Sequence, residues 1–418
     1  MYKLKRFHQD RFDRINAVID ELAGHLTGYV NLIGSATLPF PEVGAMQGLP
    51  GTAVRAEGFP GKRLFPGTDT ADLVEEIIED RLTALFDLES SYFVSGQPHS
   101  ATQANQAVFR AVLPEAGGSV IGLSAVDGGH VSHRVGLPGG TDFSSFPMGS
   151  SGIDYDMLET KAISKRPDLI VAGGTSYTRA IDFPRLRQIA DRSGAHLHGD
   201  IAHTAPFVLS GRHPAALPAC DSLTLDTGKG LRGPRGGILL ARRDDDGALR
   251  RSLFPSTQTS PNLAAMMGKA ACLSIWTRGS LGAMADRMVR SARLLNRELA
   301  GCLGHTVFGG TDCHLLLYDL SPVNKTGLET EQTLESARIL ANRNQIPGDL
   351  GSPWRPSGIR IGTTVPAILH YSDDDIALLA EAMRKATRHD GCDNIVDHLL
   401  ARYHSGVVST SSGSTSSP

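Results

Sequence analysis

Ala195-His196-Leu197-His198-Gly199-Asp200-Ile201-Ala202-His203 reads as a short, mostly buried strand that delivers a carboxylate at its end. Four further apolar runs accompany it: Ser119 to Leu123, Leu169 to Ala172, Ser222 to Leu225, and Gly237 to Ala241. Helical segments alternate with them. That rhythm predicts βαβ units and an α/β fold, with a mostly parallel central sheet flanked by helices. In such sheets ligands gather outside the carboxyl ends of the strands. Asp200, Lys229 and the loop starting at Ser95 all fall at or near such ends.

Upstream, Ile15, Val18, Ile19 and Leu22 recur at helical spacing, so residues 1–30 are expected to form a helical arm. A second helix, capped by Asp69 or Thr70, carries a stripe of Leu73, Val74, Ile77, Ile78, Leu82, Leu85 and Phe86. A third begins near Ser100. Together these elements predict a large domain over residues 31–275. The pattern then changes to a long helix (Leu281 to Leu303), a strand (His314 to Leu320), a helix around Leu328 to Asn342 and a last helix from Asp373 to Ala386. This predicts a smaller C-terminal α+β domain over residues 276–404. The Ser/Thr-rich run from Ser405 to Pro418 has too little apolar content to fold and is expected to be disordered.

The 418 residues are 40% hydrophobic and 20% charged, with a formal net charge of -3. That balance supplies no basic footprint for nucleic acid or anionic membrane. No segment offers the roughly twenty apolar residues that span a bilayer. The five cysteines are scattered without a CxxC pair, which argues against a disulfide framework or a zinc cluster and fits a cytoplasmic protein. Small-molecule chemistry remains.

Five stretches carry groups suited to that chemistry. In Asp226-Thr-Gly-Lys-Gly-Leu-Arg-Gly-Pro-Arg-Gly-Gly237, small neighbours leave the amine of Lys229 accessible. It could form a Schiff base with an aldehyde, or be a solvated loop lysine. Asp200 could pair with a protonated pyridine nitrogen, cap a helix, or bind a metal with His198 or His203. Gln97-Pro-His-Ser-Ala-Thr-Gln-Ala-Asn105 leads into a helix whose first turn, with Ser100 and Thr102, would favour phosphate; a plain serine cap is the alternative. In Asp127-Gly-Gly-His-Val-Ser-His133, His130 could stack on a flat ring, or join Asp127 and His133 on a metal. Arg360, in a β-like run, is suited to a bidentate pair with a substrate carboxylate.

Seven segments, in order, extend the pattern: Ala56-Glu-Gly-Phe-Pro-Gly-Lys-Arg63, Gln97-Pro-His-Ser100, Gly128-Gly-His-Val-Ser-His133, Asp200-Ile-Ala-His203, Leu231-Arg-Gly-Pro-Arg-Gly-Gly237, Gly309-Gly-Thr-Asp312 and Ser357-Gly-Ile-Arg-Ile-Gly362. With them the chain resembles the serine hydroxymethyltransferases, pyridoxal 5′-phosphate (PLP) enzymes of fold type I, the aspartate-aminotransferase-like fold. The resemblance implies that Lys229 carries the cofactor as a Schiff base, Asp200 pairs with its ring nitrogen, His130 stacks on the ring and His203 lies near the ring hydroxyl. It implies that Ser100, Ala101 and Thr102 hold the phosphate together with Gln258 of a second subunit, with Ser176 also binding cofactor. Ser35 and Arg360 take the amino-acid carboxylate, and Arg55 and Phe65 stand beside the substrate. If tetrahydrofolate is the co-substrate, Glu57 handles a proton near it, and Leu64, Phe254 and Asn344 line its site. A homodimer or dimer of dimers with shared sites is implied as well.

The departures are specific. Family members usually have His-Lys-Thr where this chain has Gly228-Lys229-Gly230, and a hydroxyl residue where it has Asp226, whose charge would repel a cofactor phosphate. Arg55 and Phe65 replace two active-site tyrosines, Leu64 replaces a third, and Ser35-Ala36-Thr37 stands for Ser-Glu-Asn. The expectation is a divergent enzyme making and breaking Cα–Cβ bonds of glycine- or serine-type amino acids. Its rivals are a threonine aldolase or transaldolase and an α-methylserine hydroxymethyltransferase. From other classes come a metal-dependent hydrolase built on His130, His133, Asp200 and His203, and an inactive binding homologue.

Overall fold

Seven strands form the central sheet, in the spatial order Tyr92–Ser95, Gly237–Arg242, Ser222–Asp226, His196–Asp200, Leu169–Gly173, Ser119–Gly122 and Asp142–Ser145. The computed structural model describes residues 13–88, 92–242, 246–349 and 351–409. All five apolar runs read from the sequence become strands of this sheet. The pairings from Ser222–Asp226 through Asp142–Ser145 are parallel, and Gly237–Arg242 runs antiparallel to both of its neighbours. Helices cover the sheet, so the central strands are buried on both faces; every residue of Leu169–Gly173 is buried. The parallel register sets Gly173, Asp200 and Thr224 side by side at one edge.

The helix Asp69–Phe86 buries Ala71, Val74, Ile78, Leu82 and Leu85. Its expected stripe is only half covered, because Leu73 and Ile77 stay 57% and 43% exposed in the single chain. The helix Ala101–Val112 starts where Ser100 Oγ accepts the Gln103 N–H at 3.1 Å. It packs Ala104, Ala107 and Val108 inward.

A second, antiparallel sheet joins His305–Thr306, Leu315–Asp319, Gly358–Gly362 and Asn342–Asn344. The helix expected to reach Asn342 stops at Ser336, because Arg338 adopts a left-handed backbone (φ 58°) and the chain continues as strands Ile339–Leu340 and Asn342–Asn344. The helix Arg278–Glu298 enters two apolar cores. Leu281, Met284, Ala285 and Met288 pack with the large sheet, and Ala292, Leu295 and then Leu299 pack with the small one.

The expected start of the large domain at residue 31 is displaced. Val30–Asn31 pairs with Ile339–Leu340, and Val30 and Leu32 are buried in the second core. Of the N-terminal arm, residues 1–12 lie outside the described residues; Asp13–Gly28 is helical, with none of its residues buried. The expected tail starts later than Ser405, since a helix runs Asp393–Ser409; residues 410–418 lie outside the described residues.

Candidate active site

At the carboxyl edge of the parallel strands lies a cavity of about 290 Å³. Strand ends bring Asp200 and Asp226 to it, and the following loop brings Gly228, Lys229 and Arg235. The first turn of Ala101–Val112 contributes Ser100, Ala101 and Thr102, while Ser35, His130, His203 and Arg360 close the walls. Nine of the expected site residues, scattered from 35 to 360, thus share one space. A larger cleft of about 750 Å³ along Arg278–Glu298 has charged groups that close on one another, as Arg212 does on Asp286 and Arg293 on Asp312.

Asp200 is 6% exposed, yet ionised. Burial alone would raise its carboxyl, but the hydrogen bond and charge of His133, the charge of Lys229 and the Asn105 amide hold it well below the usual carboxylate range. His133 Nε2 donates to Oδ2 at 2.9 Å, Asn105 Nδ2 donates to the same oxygen at 2.8 Å, and the Ala202 N–H donates to Oδ1 at 3.0 Å. Behind them, Asn105 Oδ1 meets His198 Nε2 at 3.0 Å, and Ser222 Oγ meets His198 Nδ1 at 2.9 Å. Burial pushes His198 down to about 3, so it stays neutral. Asn105 and His133 are positioning groups that sequence reasoning did not assign to this task, though both lie inside quoted motifs.

The Lys229 loop is closed by Thr227, whose Oγ1 donates to Pro234 O at 2.6 Å. Lys229 Nζ stands 3.7 Å from Asp226 Oδ2, and Asp226 Oδ1 accepts the Gly228 N–H at 2.8 Å. A side chain at 228 would begin 2.7 Å from the Arg235 Cα, so this loop path admits only glycine there. Arg235 itself faces the cavity, a role hidden in the sequence by its Gly/Pro-rich surroundings.

Arg360 Nη1 donates to Thr175 O at 2.6 Å and Nε donates to Asn342 Oδ1 at 3.1 Å, while Nη2 has no partner among the described residues. Burial lowers the guanidinium to about 10, which leaves it charged at neutral pH. His203 Nε2 meets Thr175 Oγ1 at 3.1 Å, and its buried Nδ1 has no partner among the described residues. Burial, then the charges of Lys229 and Arg360, keep His203 well below its ordinary value and therefore neutral. His130 Nδ1 lies 2.7 Å from Ser132 Oγ, and burial lowers its pKa too.

Several expected residues stand elsewhere. Ser176 turns away, accepting from Asn344 Nδ2 at 3.1 Å, and the wall position belongs to its neighbour Thr175. Gln258 is seated inside its own chain, where Nε2 donates to Gln97 Oε1 at 3.1 Å and Oε1 accepts from Gln103 at 3.0 Å. Leu64 and Phe65 are 65% and 43% exposed, and neither they nor Arg55, Glu57, Phe254 and Asn344 line this chain's cavity. The metal reading fails on its own donors: His133 is bonded to Asp200, and among the described residues no three such groups are arranged to hold an ion.

Residues 9–383 match the family model described as serine hydroxymethyltransferase. The chain is 38% identical over 371 residues to serine hydroxymethyltransferase 1 of Pseudomonas fluorescens (strain Pf0-1), covering 88% of this chain and 89% of that protein. It is 40% identical over 384 residues to the serine hydroxymethyltransferase of Nitrosomonas eutropha, covering 89% and 91%. With that of Halorhodospira halophila the identity is 35% over 389 residues, covering 92% of each.

Proposed function

This chain belongs to the serine hydroxymethyltransferase family, and on that footing we propose that it interconverts serine and glycine with PLP held at Lys229 and tetrahydrofolate as the one-carbon carrier. One observation carries the reading: the Lys229 amine, the ionised Asp200 and the open first turn of a 12-residue helix face one cavity. The residues fit the group. Beyond these three, His203 offers a buried, unpartnered Nδ1 suited to a ring hydroxyl.

When bound, PLP supplies an electron sink for the charge left on the amino acid's α-carbon. Asp200 would keep the ring nitrogen protonated, because a carboxylate held this far below its usual range retains its charge beside a cation. His130, in the cavity wall, would stack on the ring. The first-turn N–H groups, with Ser100, Thr102 and Arg235, would hold the phosphate. Arg360 is fixed through Nη1 and Nε, so Nη2, with Ser35, is aimed at the substrate carboxylate. Asp226 Oδ2, 3.7 Å from Lys229 Nζ, would favour a positive charge on that nitrogen.

Glu57, Arg55, Leu64 and Phe65 act in a neighbouring subunit's cavity on this reading. Supporting it, Leu64, Phe65, Leu73 and Ile77 leave apolar surface uncovered, as do Ile15, Val18, Leu22 and Leu26 on the N-terminal helix. Light scattering is expected to give at least a homodimer; a fully active monomer would contradict shared sites. No helix among the described residues is long and apolar enough to cross a membrane. The five cysteines are free, which supports placing the protein in the reducing cytoplasm.

Incubation with serine or threonine, with and without tetrahydrofolate, tests the reaction. Serine conversion to glycine is expected to require the folate. Folate-independent turnover of threonine, stimulated by an added aldehyde, would replace this reading with a transaldolase.

A further inference from the structure

Lys269, on the helix Leu263–Ile275, is 1% exposed and pairs with no carboxylate among the described residues. Its ammonium donates to three backbone carbonyls instead: Gly96 O at 2.6 Å, Pro98 O at 2.8 Å and Gly237 O at 2.9 Å. Gly96 and Pro98 lie on the loop that leads into the Ser100 cap. Gly237 opens the adjacent strand, and its own N–H donates to Pro98 O at 3.1 Å. Any side chain at Gly236 would start 2.3 Å from Lys269 Cε, so that glycine makes room for the lysine. One cation thus ties together the segments beneath the first turn of Ala101–Val112.

We propose that Lys269 is a positioning residue for the cofactor phosphate: its ammonium fixes the loop that aims the first-turn N–H groups and places a positive charge beneath them, so that phosphate binding and Lys269 protonation favour each other. This rests on the phosphate site assigned above. An ammonium has three donors and no acceptor, which matches three carbonyls. The neutral amine has two donors and a lone pair, so deprotonation sets a lone pair against a buried carbonyl and releases one segment.

The surroundings make that titration accessible. Burial pulls Lys269 down to about 7, against the opposing influence of Asp226 at its strand end, Glu75 on the helix Asp69–Phe86 and Cys272 on its own helix. His99, on the loop before Ser100, also faces it; burial and then the Lys269 charge lower that histidine. A phosphate dianion nearby raises the Lys269 value. Above pH of about 7 phosphate binding therefore takes up a proton, and affinity falls as pH rises.

The test compares PLP with pyridoxal, which has the same ring and aldehyde without the phosphate, as ligands of the full chain freed of cofactor. Quenching of tryptophan fluorescence between about pH 7 and 9 gives both affinities; the phosphate monoester, with a second pKa of about 6, is already a dianion throughout. The ratio of PLP to pyridoxal affinity is expected to fall by up to about tenfold per pH unit, and to be flat in Lys269→Met and Lys269→Gln. Parallel wild-type profiles for the two ligands, or a slope that survives in a folded variant, would overturn the inference while leaving the cofactor reading intact. Failure of both ligands to bind at any pH would overturn both. Should Lys269→Met not fold, the wild-type profiles and Lys269→Gln decide.

Discussion

Lys229→Ala is expected to abolish the visible absorbance of the PLP Schiff base and to lower kcat for serine cleavage by about 10⁴- to 10⁶-fold, the scale seen when a group that bonds covalently in the reaction is removed. The fold has little to lose. Besides its charge near Asp200, Lys229 contributes one loose ion pair, 3.7 Å from Asp226, and Asp226 keeps its bond to the Gly228 N–H. An ion pair of that length near solvent is worth about 0–1 kcal/mol, so the thermal midpoint should hardly move. An intact Schiff-base band in the variant would mean that another amine carries the cofactor.

Asp200→Ala is expected to cost activity and stability together. Loss of the charge aimed at the ring nitrogen should lower kcat by about 10²- to 10³-fold, as for other preorganised electrostatic groups. The substitution also strands the His133 Nε2 and Asn105 Nδ2 donors in a buried place, at a cost of about 1–3 kcal/mol for each. Asp200→Asn keeps the shape, but its amide nitrogen must face either the Ala202 N–H or the His133 and Asn105 donors together. It should be as inactive as the alanine variant while melting closer to wild type. Near-normal turnover by Asp200→Asn would remove Asp200 from the mechanism.

The same network sets an acid limit. Asp200 is depressed in the fold, so its contribution is present above the unfolded value, about 3.9, and is lost as pH falls toward the folded value. His198 and His314, both pulled down to about 3 by burial, act earlier. Below about pH 6.5 the unfolded chain binds protons that the folded chain refuses, so stability falls by up to about 1.4 kcal/mol per pH unit for each histidine. Denaturant titrations at pH 7.5 and 5.5 should show the drop.

Much of this was legible in the sequence where chemistry and period coincide. The run from Ala195 to Asp200 announces both its strand and its terminal carboxylate, because short alternating apolar runs between helices have few other uses. The groups that hold that carboxylate were not legible: Asn105 and His133 sit 95 and 67 positions from Asp200, and only the packed sheet brings them within 3 Å. Thr175 and Ser176 show a related limit: neighbours on a loop point in different directions, and here Thr175 lines the cavity while Ser176 meets Asn344. Lys269 was hidden by its setting, as a lone lysine in an apolar helix looks like a solvated side chain until its three carbonyls are seen. Leu64 and Phe65 show the opposite case. Both are exposed in the single chain, so the roles expected of them rest on the proposed contact with a second subunit.

The helix Arg278–Glu298 limits how this chain can be divided. It gives Leu281, Met284 and Met288 to one core and Ala292 and Leu295 to the other, and each fully buried aliphatic side chain is worth about 1.5–3 kcal/mol. A cut on either side of the helix would leave one core without its cover. Val30 and Leu32 bind the opposite end of the sequence into the same arrangement. The two sheets are therefore not exchangeable modules. A chimera that replaces one of them must carry the matching half of this helix and the strand at residue 30, or accept an exposed apolar seam through its middle.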